Sequence, residues 1–515
     1  MSTSESTLWK LIPFDLKSLS ILLCCYGIVI LACLLGTAVY NIYFHPLAKY
    51  PGPKLAAATR LVHVRWLISG RLPFIIKDLH DQYGDVVRIA PDELTYRDAP
   101  AWTGIYGQHA PKGKNFEKDV RGYNPPVNGI DGVLTAKGQE HSRHRRVLAH
   151  GFSDRSLREQ EPGLKSYTDL LIRRLYSQVS GDAKGVVDIS KWYNYTTFDM
   201  MGDFAFGESF NCLENNNYHP WVEMIFSSVK AGNLLVAENH FPSVASLVKA
   251  LIMPKGLIEK RRQNYLLAKE KVGRRLALTT DRVDIISFMT RDTNPHKLPM
   301  SKPEIETNAS LVIMAGSETT ANLLTGVSFQ LLQNPEIYKN LTQEIRGSFA
   351  ASEEIGLNAT ANLPYLQAVI EETLRIYPPV ASGLPRVVPE GGAFISDRFV
   401  PEGTAVSVTH WSANQSSSNF AQPKSFIPER WLEGNSRFAS DKRDARQPFS
   451  VGPRNCIGKA MAYAKARLIL AKVLWHFDLK LCVDLTEWSD QKVYVAWEKK
   501  PLMLKLVPVQ PESSI

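Results

Sequence analysis

Cysteine is scarce in this sequence, with six residues in a chain of 515. Three of the six share one apolar stretch and the others lie far apart, and they are Cys24, Cys25, Cys33, Cys212, Cys456 and Cys482. Disulfide-rich scaffolds concentrate many cysteines in a short chain, so that class of protein is excluded. We therefore expect a reducing environment, in which a functional cysteine acts as a thiolate.

The sequence also lacks internal repeats, low-complexity tracts and Gly/Ser linkers beyond residue 60. It carries no nucleic-acid-binding motif and no flavin- or nucleotide-binding domain, so we expect no nucleic acid partner. Hydrophobic residues make up 44% of the chain and charged residues 22%, a balance that excludes general disorder. The length allows roughly two to four domains, or one unusually large domain.

Negative charge is the less abundant sign, with 51 Asp and Glu against 60 Lys and Arg, which gives a formal net charge of +9. Nucleic acid, an anionic membrane and an acidic protein partner would each suit such a balance. Because no nucleic-acid motif accompanies the charge, a membrane and an acidic partner are the explanations that remain.

Only one hydrophobic run is long enough to cross a membrane. No charged residue occurs from Ser18 to Phe44, and a bilayer core of about 30 Å needs about 20 helical residues. A signal peptide has a shorter apolar region, and a buried core helix of this length without a polar face is rare. Basic residues are more frequent after the run than before it, which places the rest of the chain in the cytosol.

The chain is therefore divided into four segments. Residues 1–17 form a short tail, and residues 18–44 form a single-pass transmembrane anchor helix. Prolines at His45-Pro46 and Tyr50-Pro51-Gly52-Pro53 fix φ and remove backbone donors, which predicts a stiff hinge over residues 45–60. Residues 61–515 form one large globular domain.

Helical periodicity dominates this domain, and a small β component accompanies it. Helices are predicted at 137–150, 160–180, 303–333, 335–350, 363–376 and 456–475. Short strands are predicted at Val86–Ile89, Glu93–Tyr96, Ala405–Val408, Val493–Ala496 and Leu502–Leu506. The fold class is therefore mainly α.

The stretch from Phe449 to Gly458 reads F-S-V-G-P-R-N-C-I-G and carries the most chemical information. Cys456 precedes a helical run, so its sulfur faces the unpaired amide groups and the positive dipole end of that helix. Both effects favour a thiolate that can ligate a metal. Gly452 and Gly458 permit tight turns and the close approach of a flat ligand, and Arg454 supplies a positive charge for an anionic group.

This stretch resembles the haem-binding loop of the cytochrome P450 superfamily, and the resemblance covers roughly residues 45–510. It implies a cytochrome P450 fold, with a large helical domain, small β-sheets and haem b as the cofactor. By this resemblance Cys456 is the axial ligand of the haem iron and Arg454 pairs with a haem propionate. Phe449 would pack beside the thiolate, and a thiolate ligand favours cleavage of the O–O bond.

A second stretch, Glu372-Thr373-Leu374-Arg375, matches another signature of the same family. Glu and Arg at positions i and i+3 share a helix face and can pair. The resemblance adds Arg430, from Phe426-Ile427-Pro428-Glu429-Arg430-Trp431, and implies a buried network of Glu372, Arg375 and Arg430 with a structural role. Arg386, in Leu384-Pro385-Arg386, matches a second contact to a propionate.

A third stretch, Ala315-Gly316-Ser317-Glu318-Thr319-Thr320, lies inside a long apolar helix. A buried threonine there is expected to bond the carbonyl four residues earlier, which would open the helix locally. By resemblance this is the oxygen-binding groove, and Gly316 is part of it. Thr319 would steady the oxygen ligand and Glu318 would help to deliver protons through water.

A fourth, weaker match is His141-Ser142-Arg143-His144-Arg145-Arg146, where many family members have W-x-x-x-R. Arg145 fits the propionate-binding arginine, and His141 replaces the usual tryptophan as a donor. Arg143 and Arg146 point elsewhere and are candidates for a basic face that meets an acidic reductase. Ordinary solvated charge is the competing interpretation.

The resemblance predicts a monooxygenase that uses O2 to hydroxylate a hydrophobic small molecule. Since the chain has no flavin domain, its electrons come from NADPH–cytochrome P450 reductase, with cytochrome b5 as a second candidate donor, at the endoplasmic reticulum membrane. The opening Tyr40–Pro53, Gly129–Gly132 and Phe198–Asp203 are similar to fungal microsomal members, which favours secondary-metabolite biosynthesis. Alternatives are oxidative ring closure, coupling or desaturation, and a non-catalytic haem-binding protein.

Substrate contacts are expected from five regions, which are residues 110–130, residues 208–245, Asn308–Val312, Val380–Leu384 and Trp497–Lys500. The apolar run Phe241–Ile252 is followed by basic residues, and it is predicted either to dip into the membrane face or to form a simple core helix.

Overall fold

The structure is a computed structural model, and it describes residues 16–109, 114–242, 255–279, 283–290, 299–482, 487–494 and 496–509. The α-helices up to residue 239 are α1 (Leu16–Tyr43), α2 (Lys54–Ala58), α3 (Arg60–Ile68), α4 (Leu72–Tyr83), α5 (Ala99–Tyr106), α6 (Gly138–Ala149), α7 (Asp154–Ser180), α8 (Ile189–Phe206), α9 (Cys212–Asn215) and α10 (Pro220–Asn239). Those that follow are α11 (Lys255–Ala277), α12 (Ile285–Thr290), α13 (Lys302–Gln333), α14 (Pro335–Ser348), α15 (Leu357–Ala361), α16 (Pro364–Ile376), α17 (His410–Asn414) and α18 (Lys459–His476).

The strands are short and form three small sheets. They are β1 (Val86–Ala90), β2 (Glu93–Tyr96), β3 (Glu117–Lys118), β4 (Val186–Asp188), β5 (Arg386–Val387), β6 (Ala393–Ile395), β7 (Arg398–Val400), β8 (Ala405–Val408), β9 (Phe477–Leu481) and β10 (Met503–Pro508). The largest sheet has the order β1-β2-β8-β5-β3, and the others are β4-β10-β9 and the hairpin β6-β7. Strands β2 and β8 are parallel, with Leu94 opposite Val406.

Two long helices, α13 and α18, cross the main hydrophobic core. Helix α13 packs against α8, α11, α16 and α18, and α18 also packs against α7 and α15. Helix α13 begins where the Glu304 carboxylate accepts a hydrogen bond from the Ser301 backbone N–H at 2.7 Å. Its side chains are apolar on most sides, as expected of a helix that is buried all round. The mainly α fold predicted from the sequence is confirmed.

The N-terminal helix α1 is the candidate membrane span. Its segment Leu19–Tyr43 has a mean hydropathy of 2.6, and its side chains are mostly exposed. An apolar helix that contacts the rest of its chain only near its C-terminal end, where Asn41 donates to the Ala58 carbonyl oxygen, is suited to lipid. Helix α1 ends at Tyr43, and most of the predicted tail lies outside the described residues.

The proline-rich segment after the anchor packs onto the globular domain. Leu47 is fully buried, and the Tyr50 hydroxyl donates to the Phe399 carbonyl oxygen at 2.9 Å. The Arg88 backbone N–H donates to the carbonyl oxygen of Pro51 at 2.7 Å. The segment predicted as a hinge over 45–60 is thus fixed to the sheet, and the packing of the domain begins before residue 61.

Most predicted helices and strands are present, with ends shifted by a few residues. The exception is the range 493–496, whose described residues, Val493, Tyr494 and Ala496, belong to no strand. Val493 and Trp497 form an isolated bridge, and the Tyr494 N–H donates to the Ala496 carbonyl oxygen at 3.0 Å. The β-branched residues suggested a strand, but here the chain reverses in a tight turn. Most of the apolar run Phe241–Ile252 lies outside the described residues.

Candidate active site

The Cys456 loop is a tight turn that ends at the start of α18. The Cys456 N–H donates to the Phe449 carbonyl oxygen at 2.8 Å. Gly452 has a φ of +73°, and an added Cβ would overlap the carbonyl oxygen of Tyr106. Gly452 is therefore required by a backbone–backbone contact, whereas the sequence suggested a close approach to a ligand. Gly458 has space around it, since an added Cβ would lie 3.7 Å from Phe152.

The Cys456 thiol is accessible because it faces a large internal cavity. Burial raises the pKa of this thiol, and the backbone N–H of Gly458 and the charges of Arg145 and Lys459 act in the opposite direction. A metal ion would add the positive charge needed to hold the thiolate. The expected donors at the start of α18 are thus present, but by themselves they do not overcome burial.

The cavity lies between α13 and the Cys456 loop, and its lining atoms enclose about 1000 Å³, including space open to solvent. Its apolar and hydroxyl-bearing wall comes mostly from α13 and the segment before α6, with Val133, Leu134, Leu311, Val312, Ala315, Gly316, Thr319 and Thr320. The opposite wall includes Phe449, Arg454, Asn455, Cys456, Ile457, Gly458 and Lys465. Thiol and threonine hydroxyls, distant in sequence, therefore face one enclosed space.

Thr319 has the local bond expected from the sequence. Its hydroxyl donates to the Ala315 carbonyl oxygen at 2.6 Å, and the Thr320 hydroxyl donates to the Gly316 carbonyl oxygen at 3.1 Å. Helix α13 nevertheless runs unbroken from Lys302 to Gln333, so the predicted local opening is absent. Gly316 makes room for Met201, because an added Cβ would meet the Met201 side chain.

Glu318 lies on a different side of α13 from Thr319. Its Oε1 is 3.0 Å from the Lys499 Nζ in a buried ion pair, and Lys499 also donates to the Asn194 side-chain oxygen at 2.9 Å. Burial raises the pKa of Glu318 and lowers the pKa of Lys499. Glu318 is absent from the cavity lining. The predicted acid–threonine pair is therefore divided between the cavity and a separate ion pair.

Several basic side chains meet at one edge of the cavity. Lys118, His141, Arg145 and Arg454 line the cavity, and Arg386 lies beside them. Glu117 is the carboxylate paired with this group, at 2.6 Å from Arg454. Burial, with the charges of Arg454, Lys118, Arg145 and Arg386, lowers the pKa of His141 to about 3. Within the described part of the chain, Nη1 of the buried Arg386 has no hydrogen-bond partner. The cluster has an excess of positive charge that anionic groups would neutralise.

These features fit haem, which the sequence resemblance implies. A haem carries two carboxylates at one edge, and the cation cluster with the unpaired Arg386 donor suits them. Cys456 offers a sulfur for the iron, and the wall of α13 faces that sulfur across the cavity. Cys456, Arg454, Arg386 and His141 are thus grouped as predicted.

Two arginines of α6 make contacts within the protein that the sequence did not predict. Arg145 donates to the Asn455 backbone oxygen at 2.7 Å and to its side-chain oxygen at 2.5 Å, so its guanidinium ties α6 to the Cys456 loop. Arg143 forms an ion pair with Glu304. Of the two candidates for a basic face, only Arg146 is exposed and keeps that assignment.

The second signature forms a buried network, as expected. Arg375 donates from Nε and Nη2 to the Glu372 carboxylate at 2.9 and 2.7 Å, and the Arg430 Nε lies 3.1 Å from the same carboxylate. Arg430 also pairs with Asp441, and the Trp431 indole N–H donates to Glu372 at 2.8 Å. These residues do not line the cavity, which agrees with a structural role.

The predicted substrate regions contribute unequally to the described cavity lining. Leu311 and Val312 line it, and the Asn308 side-chain oxygen accepts the Val133 N–H at 2.8 Å, which fixes the neighbouring loop. The turn Trp497–Lys500 does not line it, since the Trp497 indole N–H donates to the Pro378 carbonyl oxygen at 2.7 Å. Val380–Leu384 and the described part of 208–245 are likewise absent from the lining.

Three lysines have roles that sequence reasoning did not assign, and they are Lys118, in the predicted substrate region 110–130, Lys465, and Lys499, in the predicted substrate region Trp497–Lys500. Lys118 and Lys465 line the cavity, and Lys499 holds Glu318. Lys465 interrupts the apolar face of a helix that directly follows the Cys456 loop, and this was the one available signal. Lysines 118 and 499 gave none, because their partners are distant in sequence.

The family of this chain is shown by its similarity to known proteins. The model of the cytochrome P450 family matches residues 51–506. The chain is 46% identical to the cytochrome P450 monooxygenase astJ of Aspergillus oryzae, over 91% of this chain and 94% of that protein. It is 45% identical to averantin hydroxylase of Dothistroma septosporum, over 93% and 90%. It is 42% identical to trichothecene C-15 hydroxylase of Fusarium sporotrichioides, over 93% and 96%.

Proposed function

The chain belongs to the cytochrome P450 family and is a haem-thiolate monooxygenase, and we propose that it hydroxylates an apolar small molecule of fungal secondary metabolism. One observation carries this proposal, which is that the Cys456 thiol and the Thr319 hydroxyl face the same cavity. Two of its relatives have names that describe hydroxylases of such metabolites.

We assign haem b to the cavity, where the Cys456 thiolate would bind its iron. When bound, haem supplies reductive activation of dioxygen, which no amino-acid side chain provides. Arg454, Arg386 and His141 hold the carboxylates of the group. Arg145 acts through Asn455 and keeps the Cys456 loop against α6. Phe449 packs against Tyr463, with their ring centroids 5.1 Å apart, and shields the sulfur from water.

The α13 wall serves the reaction through its hydroxyl groups. In the resting arrangement the Thr319 proton is held on the Ala315 carbonyl oxygen at 2.6 Å. When this hydroxyl turns away from the Ala315 carbonyl oxygen, it can donate to an oxygen substrate in the same cavity. Glu318 serves the same helix from its other side, where Lys499 holds the carboxylate. General acid groups of this kind contribute about 10²–10⁴-fold to a rate.

We infer an apolar substrate because the side chains that line the cavity beside Thr319 are apolar. Val133, Leu134, Leu311, Val312 and Ala315 present hydrocarbon surface with no charged group among them. Burying such surface favours a hydrophobic ligand by about 25 cal/mol per Å². This wall suits a polyketide or terpenoid skeleton and selects against a polar metabolite.

Electrons reach the protein from a separate membrane-bound donor. We assign NADPH–cytochrome P450 reductase as this partner and cytochrome b5 as a second donor, with Arg146 on the docking face. Helix α1 anchors the protein in the endoplasmic reticulum membrane, with the catalytic domain in the cytosol. The basic residues after the anchor support this orientation.

Expression of the full chain with a reductase in yeast microsomes tests the proposal. We expect the ferrous carbon monoxide complex to show the red-shifted band of thiolate ligation, and metabolite profiling to reveal an oxygenated product. C456A removes the only thiol in the described cavity lining and should abolish both signals. C482A, at an exposed cysteine, is the matched control and should retain both. A dehydrogenated, cyclised or coupled product would show that the reaction is desaturation, ring closure or coupling instead of hydroxylation.

A further inference from the structure

Lys465 is a buried lysine without an ion-pair partner among the described residues, a feature that it shares with Lys118, whose Nζ donates to the Leu134 carbonyl oxygen. Lys465 lies on α18 with 1% of its surface exposed, and its Nζ donates to the Gly316 carbonyl oxygen at 2.7 Å. Lys472 pairs with Asp169, and Lys499 pairs with Glu318. No carboxylate of the described chain lies within ion-pair distance of Lys465.

Lys465 differs from Lys118 in that it contacts helix α13. It lines the large cavity with Thr319, Thr320 and Cys456, and its partner Gly316 belongs to the groove of α13. It is therefore a proton-bearing side chain on the same cavity as the hydroxyls assigned to the oxygen ligand. Glu318, the acid that the sequence motif indicated, faces Lys499 instead.

A second, smaller cavity meets Lys465 from the direction of α7 and α8. It holds about 10 Å³, which is near the threshold for one water molecule. Its polar lining is formed by Gln160, Tyr167 and Asp203, which are only partly buried. Lys465 thus lies between the large cavity and this smaller one, whose other lining side chains, Leu164, Met200, Met201, Phe204 and Met461, are apolar.

Other titratable side chains line the two cavities that meet at Lys465. In the large cavity they are Lys118, His141, Arg145, Arg454 and Cys456, and in the small cavity they are Tyr167 and Asp203. From α13 the contact is the Gly316 carbonyl. Burial lowers the pKa of Lys465 to about 7. A lysine in this range can release a proton and regain it near neutral pH, which an ordinary surface lysine cannot do.

We propose that Lys465 transfers protons to the oxygen-binding groove of α13. The ammonium on Nζ gives up one proton toward dioxygen bound beside Thr319 and becomes a neutral amine. A proton from solvent, carried past Asp203 and Tyr167 by water in the small cavity, restores the ammonium. No oxidant or reductant beyond those of the monooxygenase reaction takes part. The proposal rests on the monooxygenase function.

Two substitutions separate proton transfer from charge and from packing. K465M keeps the length of the side chain and removes its proton. K465R keeps the positive charge, but the guanidinium does not release a proton in proteins. K472M, on the same helix but outside the cavity lining, is the control for the loss of a buried lysine. The holoenzyme in reductase-containing microsomes is assayed for NADPH use, product and hydrogen peroxide.

We expect both K465M and K465R to lower the ratio of product to NADPH about tenfold and to release peroxide instead. Their carbon monoxide spectra should match the spectrum of the parent protein. K472M should keep the parent ratio even where its stability falls. Parental coupling in K465M overturns the proposal, and so does full coupling in K465R, which would show that charge alone suffices. A parent protein without product would contradict the proposed function instead.

Thermal unfolding of the holoenzyme gives a readout that does not depend on turnover. A lysine with a lowered pKa in the folded state binds a proton more readily when unfolded, so its burial is most costly at and below about pH 7 and least costly near pH 10. K465M should therefore raise the melting temperature relative to the parent more at pH 6.5 than at pH 9. A difference independent of pH would show a permanently charged Lys465 and overturn the proposal. If K465M does not fold, Lys465→Gln takes its place in both experiments.

Discussion

The buried charges around Glu372 and those around Arg386 differ in whether the chain itself neutralises them. Around Glu372, two carboxylates pair with two arginines. Glu372 pairs with both Arg375 and Arg430, and Asp441 pairs with Arg430. Around Arg386, where Arg145, Arg454 and Lys118 also lie, the carboxylate Glu117 forms an ion pair with Arg454 alone. The first group is complete within the protein, and the second becomes complete when an anion binds.

This difference separates a structural network from a binding site. A buried ion pair with all its hydrogen bonds made resists disruption, because removing one member strands the other charges. A cluster with excess positive charge lowers stability until a ligand compensates it. Removal of one charge should therefore have opposite effects on folding at the two places.

The largest effect is expected from E372A, which breaks the complete network. Arg375 and Arg430 would remain buried and lose their common partner, which we expect to cost about 3–5 kcal/mol of the free energy of unfolding. The measurement is the melting temperature of the full chain and its yield of folded, haem-containing protein. The exposed Glu433 provides the control E433Q, which should change neither. A stable E372A protein would show that the network is dispensable.

A second effect, of opposite sign for folding, is expected from R386M. Without haem, the loss of one of several crowded cations should raise the melting temperature, since Arg386 has an unsatisfied buried donor. With haem, the loss of a propionate partner should speed haem dissociation about tenfold, on the scale of other supporting contacts to bound metals. Haem transfer to an apoprotein acceptor measures the rate, and far-UV circular dichroism checks the fold.

The control for R386M is R398M, on the hairpin strand β7 and exposed. It should leave both the melting temperature and haem dissociation unchanged. If R386M instead destabilised the haem-free protein as strongly as E372A, the two clusters would not differ in kind.

Sequence reasoning was most successful where the chemistry is local. The turn before α18 places Cys456, and the i to i−4 spacing places the Thr319 bond, so few residues specify each. The partners of Glu318, Arg143 and Lys465 are distant in the chain, and local patterns say nothing of them. Their positions depend on how α13 packs against its neighbours.

The same reason explains Gly452 and the turn Val493–Ala496. Glycine is required at position 452 because an added Cβ would overlap the Tyr106 carbonyl oxygen on α5, and only the folded chain brings these two residues together. The Val493 N–H donates to the Gly70 carbonyl oxygen at 2.8 Å, which holds a β-branched segment in a turn. Tertiary contacts therefore override local preference at both places.

The smallest effect concerns the pH dependence of His141. Burial and four neighbouring cations lower its pKa to about 3 in the folded state, below its ordinary value of 6.5. Between these values the unfolded chain binds a proton that the folded chain does not, so stability falls as pH falls from 6.5 toward 3. H141Q lacks this titration, so the haem-free variant should unfold at a lower pH than the haem-free parent.

Bound propionates would supply negative charge beside His141 and raise its pKa, so haem should narrow the difference in acid stability between the two proteins. Acid titration followed by tryptophan fluorescence, with and without haem, measures it. Equal acid midpoints in the haem-free proteins would show that the cations leave His141 unaffected, and the contrast between the two clusters would then rest on Arg386 alone.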